Sequence, residues 1–327
     1  MKYRKFSDLD WNISEVGLGC WQIGWSWGDV TDRDARDLLK KSLDRGVNFF
    51  DTSDMYGDGR SEKFLADLIK STSEKLFITT KLGRRVRGTN YSKGFKGEYM
   101  EEFVDRSLVN LGVECIDLVQ LHCPPSEDLS KKETYEKMDK IVKKGKIAHY
   151  GVSVHKISDA MEAIKHPNVK SIQMVFNIFR QKPAETFLRE AKKRNVAIIV
   201  RGPLASGLLT GEINKDTKFA ENDHRNYNTT GEAFDVGDTF SGVNFEKGLE
   251  AVERLKDLLP DNFSLTDLAL KWILMHDEVS VVIPGAVNKS QVQMNTKASD
   301  LEDVSSLLPK INSIYNELIK PDVHNRW

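Results

Sequence analysis

Residues 35–51 read ARDLLKKSLDRGVNFFD, and they hold the fold in miniature. Ala35, Leu38, Leu39 and Leu43 fall on one face at helical spacing. Gly46 is the stop, because glycine accepts the left-handed backbone found just past a helix end. VNFFD then follows as a short apolar strand that ends on an acid. The unit recurs. Phe103, Val104, Ser107, Leu108 and Leu111 are followed by Gly112 and CIDLVQLH. Tyr135, Met138, Ile141 and Val142 are followed by Gly145 and KIAHYGVS. The segment from Pro183 to Arg194 is followed by Asn195 and VAIIVRG.

Apolar strands flanked by helices belong in a parallel sheet covered on both faces. Expected strand ends fall near Gly19, Asp51, Lys81, His122, Ser153, Gln173, Arg201 and Pro284. Most are separated by about 20–40 residues, the room that a crossover connection requires. A length of 327 residues permits two domains at about 150 residues each. The repeated unit instead predicts one α/β domain over 1–327, a single (β/α)8 TIM barrel. It carries an N-terminal hairpin, turning at Ser7-Asp8 within KYRKFSDLDWNISEV, and extra C-terminal helices. Those helices are expected near Glu246–Leu259, Ser264–His276 and Asp303–Lys320. Between them and Arg201 lies a polar stretch, Gly211–Val243, whose length marks it as a lid, a solvated loop or a disordered segment. His224 and Arg225 sit within it.

The 48 Lys plus Arg balance 49 Asp plus Glu, a formal charge of −1. Nucleic-acid binding is not expected, since phosphate neutralisation needs a clustered basic excess. Cys20, Cys115 and Cys123 are too few and scattered for a disulfide framework. The opening MKYRKFSDLDWNISEV has no apolar leader core, and no window approaches the roughly 18 apolar residues of a membrane span. A cytoplasmic protein with no membrane partner is the expectation. The 7 histidines show no HExxH or paired Cys/His spacing, so no metal site is expected.

Barrel chemistry sits at the C-terminal strand ends and in the loops after them. There stand Asp51, with Tyr56 just beyond in DTSDMYGDGRSE, then Lys81 in LFITTK and His122 in DLVQLH. An ammonium beside a tyrosine stabilises its phenolate and makes it a usable acid. Asp51 would keep Lys81 charged, and His122 could hydrogen-bond a carbonyl oxygen. The plainer alternative is a structural Asp51–Lys81 ion pair with Tyr56 packed in a loop. Four such groups on neighbouring strand ends favour chemistry. Cys123 follows His122, but adjacent strand residues point to opposite faces, so the pair does not read as a nucleophile and Cys123 reads as a passive buried thiol. Trp25 and Trp27, in GWSWGDV, read as walls of a substrate pocket.

With these motifs in view, the chain resembles the aldo-keto reductases. The tetrad Asp51, Tyr56, Lys81 and His122 is joined by GLGCWQIG, GVS ending at Ser153, IQMVFN, RGPLASGLLTG, ALKWIL and VIPGA. The resemblance implies a nicotinamide cofactor and reduction of a small-molecule aldehyde or ketone, with Tyr56 protonating the oxygen. It implies that Asp51, Ser153 and Gln173 lie at the nicotinamide end, where the last two hold the carboxamide. Gly19 and Trp21 would line the nicotinamide, and Trp21, Trp27, Tyr56 and His122 the substrate. Gly202, Pro203, Leu204, Ser206, Gly207 and Leu209 would form the pyrophosphate loop. Pro284, Gly285, Lys289, Gln291 and Asn295 would line the adenosine end, with Asn295 at the adenine.

Two departures stand out against that resemblance. Arg201 occupies the place where many relatives stack an aromatic ring, and a guanidinium plane can also stack. Gln291 stands where many relatives carry an Arg for the 2′-phosphate, and Met294 where an acid is common, leaving Lys289 as a point charge. The expectation is therefore NADP(H), with NAD(H) possible. Two rival functions have the same fold: a cofactor-binding regulatory subunit, such as some relatives that serve a membrane channel, and a lyase or isomerase without cofactor. Oligomeric state is not legible.

Overall fold

In the computed structural model, residues 1–24, 30–84 and 94–327 are described, apart from the side chains of 97 and 98. Trp25 and Trp27 lie outside the described residues. The repeated unit closes on itself. A hairpin, β1 (Tyr3–Lys5) and β2 (Asn12–Ser14), precedes eight strands in one sheet. These are β3 (Leu18–Gly19), β4 (Phe49–Asp51), β5 (Phe77–Leu82), β6 (Ile116–His122), β7 (Ile147–Ser153), β8 (Val169–Val175), β9 (Ala197–Arg201) and β10 (Val279–Val282). Each pairs in parallel with the next in sequence. Parallel bridges Val16–Val282 and Gly19–Gly285 join the first strand to the last, so this is the expected (β/α)8 barrel.

The stops behave as their residue types predict. Gly46, Gly112, Gly145 and Asn195 have φ values of 82°, 65°, 74° and 54°. Each helix thus turns directly into its strand, which fixes the crossover length. The helices carry their stripes inward: Ala35, Leu38 and Leu39 are buried on Asp32–Asp44, and Tyr135, Met138 and Ile141 on Lys132–Lys143.

Strand alternation divides the core. Phe50, Ile78, Val119, Leu121, Ile198, Val200 and Val282 point outward into the layer beneath the helices. Phe49, Phe77, Leu118, Ala197, Ile199 and Val281 point inward and fill the lower barrel together with Phe6 and Ile13 of the hairpin. Phe6 stacks on Trp11 at 5.3 Å and on Phe49 at 5.6 Å. The hairpin is therefore the plug of the barrel's N-terminal end. Above this apolar floor the inward positions turn polar.

The long stretch after β9 is ordered. A short helix, His224–Tyr227, and 3₁₀ turns at Val236–Asp238 and Phe240–Gly242 pack it down, with His224, Asn228 and Thr239 buried. Most of 212–222 and 229–233 is exposed, so the stretch combines solvated loop with packed turns. Helices follow at Phe245–Lys256 and Leu265–Leu274. The expected tail helix is interrupted: a π-helical turn at Tyr315–Ile319 separates Leu308–Ile314 from Lys320–Val323. Pro321 there cannot donate to the carbonyl four residues back, which opens the ladder.

Gly112 tests the stop argument. A Cβ there would meet only Lys70, no nearer than 3.8 Å, so strain in φ alone opposes a side chain. Gly112→Ala is expected to lower unfolding free energy by about 1–2 kcal/mol, read by denaturant titration. No loss would mean that the stop does not depend on glycine.

Candidate active site

The polar layer is set by register. Asp51 pairs with Thr79, Lys81 with Gln120, His122 with Ser153 and Ser153 with Gln173. Side chains from β4, β5, β6 and β8 therefore converge on one point. Lys81 Nζ lies 2.5 Å from Asp51 Oδ1, 2.8 Å from the Thr52 carbonyl and 3.3 Å from the Tyr56 hydroxyl. The second oxygen, Asp51 Oδ2, accepts from Gln173 Nε2 at 2.8 Å and Gln120 Nε2 at 3.3 Å. Lys81 and Asp51 are both nearly solvent-free. Gln120 went unrecognised in the sequence, although it sits two residues before His122 and so shares its strand face.

Tyr56 comes from a loop built for position. Thr52 Oγ1 donates to Ser61 Oγ at 2.7 Å, and that hydroxyl donates to the Cys20 carbonyl at 2.9 Å. Arg60 Nη1 donates to the Ile23 carbonyl at 2.7 Å, and Arg106 Nη2 to the Asp58 carbonyl at 2.6 Å. The loop is thereby clamped to the short helix Trp21–Gly24 on one side and to Gly97–Leu111 on the other. Trp21 faces Tyr56 at 6.3 Å, and His122 meets the Tyr56 ring edge-on at 6.2 Å.

The charges decide what this group can do. Burial pushes the Tyr56 pKa up, and the Lys81 ammonium pulls against it without winning. The sequence expectation stressed the ammonium; desolvation proves the larger effect. Burial also opposes the charge on Lys81, but Asp51 and Tyr56 outweigh it and keep its pKa above the ordinary value. Burial, with Arg84, Lys81 and Arg201 nearby, holds His122 well below the usual imidazole range. His122 is thus a neutral ring, 3.3 Å from Ser53 Oγ at Nδ1. A protonated phenol held by an ammonium, beside a neutral imidazole, is a set that can deliver hydrogen bonds to an oxygen.

The profile of the Aldo/keto reductase family matches residues 15–316. The chain belongs to this family. It is 30% identical over 306 residues to an uncharacterized oxidoreductase of Bacillus subtilis, covering 92% of each chain. It is 28% identical over 319 residues to a probable voltage-gated potassium channel subunit beta of Arabidopsis thaliana, again covering 92% of each. Among solved structures, an aldo-keto reductase of Bacillus halodurans in its holo form superposes with a TM-score of 0.77 at 27% identity. That match covers 100% of this chain and 99% of the other.

The other residues expected at the site of this aldo-keto reductase are placed as follows. Ser153 is buried with its hydroxyl 3.5 Å from Cys123 Sγ, and Gln173 is committed to Asp51. Gly19 donates its N–H to the Pro284 carbonyl at 3.1 Å and pairs with Gly285 across the barrel seam. Trp21 stacks on His224 of the long loop at 5.2 Å. Arg201 is ion-paired with Asp238 of the same loop. Asp238 was missed, and His224 was singled out only as part of a possible lid, because nothing local marks a loop residue as a partner of a strand end.

In the loop after β9, Gly202, Ala205, Ser206 and Gly207 all have positive φ. The N–H groups of Gly207 and Leu209 both donate to the Leu204 carbonyl, at 2.9 and 3.1 Å, so these two serve the loop itself. Ser206 Oγ donates to the Asp238 carbonyl at 3.1 Å, and Pro203 is buried. Among the residues expected to line an adenosine, Asn295 Nδ2 donates to the Gly285 carbonyl at 3.1 Å, and Gln291 Oε1 accepts from the Val287 N–H at 2.9 Å. Lys289 Nζ lies 3.1 Å from Asp37 Oδ2.

A nicotinamide cofactor fits the mouth. The Arg201 Nε–H is a buried donor without a hydrogen-bond partner among the described residues. It lies at the end of β9, in the ring of strand ends that holds Ser153 and Gln173.

Gly24 guards the placement of Tyr56. A Cβ there would stand 2.7 Å from Tyr56 Cβ and 2.8 Å from its carbonyl carbon and oxygen. Gly24→Ala is expected to displace the phenol and cost about a hundredfold in kcat, the scale of an ångström's misplacement, with circular dichroism unchanged. Full activity would show that the tyrosine's position is not critical.

Proposed function

We propose that the protein reduces aldehydes or ketones to alcohols, with NADPH or NADH as the electron source and Tyr56 as the proton donor. The observation that supports this reading best is the Asp51–Lys81–Tyr56 chain, with distances of 2.5 and 3.3 Å, beside a neutral His122. A bound nicotinamide would supply the hydride. His122 donates a hydrogen bond to the substrate oxygen and orients it. Tyr56 donates its proton to that oxygen as negative charge develops there. Lys81 stabilises the phenolate left behind, and Asp51 keeps Lys81 charged. Ser153 and Arg201 face the nicotinamide end, and Trp21 walls the mouth.

The test is loss of NADPH absorbance with a panel of aldehydes, wild type against Tyr56→Phe. The variant is expected to lose at least about a hundredfold in kcat, the scale of general-acid catalysis, while still binding the nucleotide. Equal rates would remove Tyr56 as the acid. A second reading, a cofactor-binding subunit without turnover, is favoured by the likeness to the plant channel subunit. Nucleotide binding with no turnover of any aldehyde by wild type would support it.

On this reading, cofactor preference turns on Lys289, the point charge left to meet a 2′-phosphate. Its partner Asp37 competes for it across an exposed surface. Asp37→Asn is expected to raise the ratio of kcat/KM for NADPH over NADH by about two- to fivefold, the worth of one exposed ion pair. An unchanged ratio would place 2′-phosphate recognition elsewhere.

A further inference from the structure

The segment beyond the π-helical turn carries a residue that the proposed reduction does not use. Trp327 is 8% exposed, and more than apolar packing holds it. Its Nε1–H donates to the Asp235 carboxylate, at 3.0 Å to Oδ1 and 3.3 Å to Oδ2. The Arg180 guanidinium lies 3.6 Å from the centre of the indole. Lys182 Nζ donates to the Trp327 main-chain oxygen at 2.6 Å. Two glycines make room for the ring. A Cβ at Gly237 would stand 2.8 Å from Trp327 Cζ2 and 2.6 Å from Arg180 Nη1, and one at Gly242 would overlap Trp327 Cη2. These glycines belong to the turns Val236–Asp238 and Phe240–Gly242. The indole therefore meets both turns at the backbone, a close approach that only glycine permits. Asp235 Oδ1 also accepts from the Gly237 N–H at 2.8 Å, which joins the indole N–H to the first turn.

The same two turns carry contacts to residues expected at the cofactor. Asp238 pairs with Arg201, and its carbonyl accepts from Ser206 Oγ at 3.1 Å. The Phe240 N–H donates to Ser206 Oγ at 3.0 Å. Asn177 Nδ2 reaches both Ser241 Oγ at 2.8 Å and the Gly202 carbonyl at 2.7 Å. The turns are thus fixed by Trp327 and by the end of β9 at once.

We propose that Trp327 is a positioning residue for nucleotide binding: it fixes the turns of 235–242, hence Asp238, and through Asp238 the direction of the Arg201 guanidinium. The inference rests on the carbonyl-reductase reading in taking the end of β9 as the nicotinamide end. Arg201 Nη1 goes to Asp238, and Nη2 lies 3.0 Å from His155 Nδ1. The Nε–H is left buried without a partner among the described residues. A guanidinium is planar and rigid, so a shift of Asp238 re-aims that N–H. Holding the tail down does not require these contacts. Ile311, Ile314, Ile319 and Val323 already sink it into the core, and an anchor needs packing alone, whereas the bonds of Trp327 are directional.

The experiment measures NADPH binding to the folded chain, from the fluorescence of the bound nucleotide, in wild type, Trp327→Phe and Trp327→Ala. Trp327→Phe keeps a ring and loses the N–H; its Kd is expected to rise about threefold. Trp327→Ala should raise it about tenfold, within the range for residues that modulate a ligand without touching it. The single-turnover rate at saturating NADPH should stay within about twofold of wild type, since the Asp51–Lys81–Tyr56 chain is untouched. A double-mutant cycle tests the route. Asp238→Asn should itself weaken binding, and adding Trp327→Phe to it should cost less than about 1.5-fold more. A full threefold loss in that background would overturn the route through Asp238. An unchanged Kd in folded Trp327→Phe, even with a lower melting temperature or a slower turnover, would make the residue a plain anchor and overturn the proposal. Should Trp327→Ala or Asp238→Asn fail to fold, Trp327→Phe against wild type decides alone. Wild type that binds no nucleotide would defeat the carbonyl-reductase reading and this inference together, whereas equal binding by wild type and Trp327→Phe defeats the inference only.

Discussion

The Asp51–Lys81 ion pair is the constraint on which the upper barrel depends. Taking two charges out of water costs several kcal/mol each, and only close geometry and complete hydrogen bonding offset it. Here Asp51 comes from β4, Lys81 from β5, and the amides that satisfy the second carboxylate oxygen from β6 and β8. A slip of one residue in any of these strands would send its member to the opposite face. The pair thus ties register to chemistry. The apolar floor of Phe49, Phe77 and Leu118 beneath it keeps water away and strengthens every interaction above.

Electrostatics then grade the groups by distance from that pair. Lys81 stays charged because its counter-ion is in contact. Tyr56 stays protonated because burial exceeds what the ammonium returns. His122 stays neutral because it is buried among cations. Cys123, one residue further along the strand, meets the same cations from a partly exposed position and becomes acidic. One field therefore keeps an ammonium charged and a nearby imidazole neutral. The long segment after β9 completes the mouth by placing Asp238 on Arg201 and His224 on Trp21. It is part of the site's wall.

Much of this was legible in the residues. Helix stripes, the stops at Gly46, Gly112, Gly145 and Asn195, and the strand ends at Asp51 and His122 reflect preferences of the backbone within a few positions. The convergence of Asp51, Tyr56, Lys81 and His122 also followed, since a closed parallel barrel brings consecutive strand ends together. Gln120 could have been found by the same period of two. The partly exposed place of Cys123 could not, because alternation hides that position behind the strand and a positive φ at the strand end departs from it.

By itself, then, the sequence determined the barrel, its punctuation and the strand ends that carry Asp51, Lys81 and His122, because each is written in spacings shorter than one helix–strand unit. The tertiary structure decided the rest. It turned the N–H groups of Gly207 and Leu209 back onto Leu204, gave Lys289 to Asp37, brought Asp238 and His224 to Arg201 and Trp21, and set Arg84 and Arg201 on the two nitrogens of His155. Most of these contacts join residues tens to hundreds of positions apart. Their strength depends on burial and on the sum of nearby charges, quantities that exist only once the chain has closed.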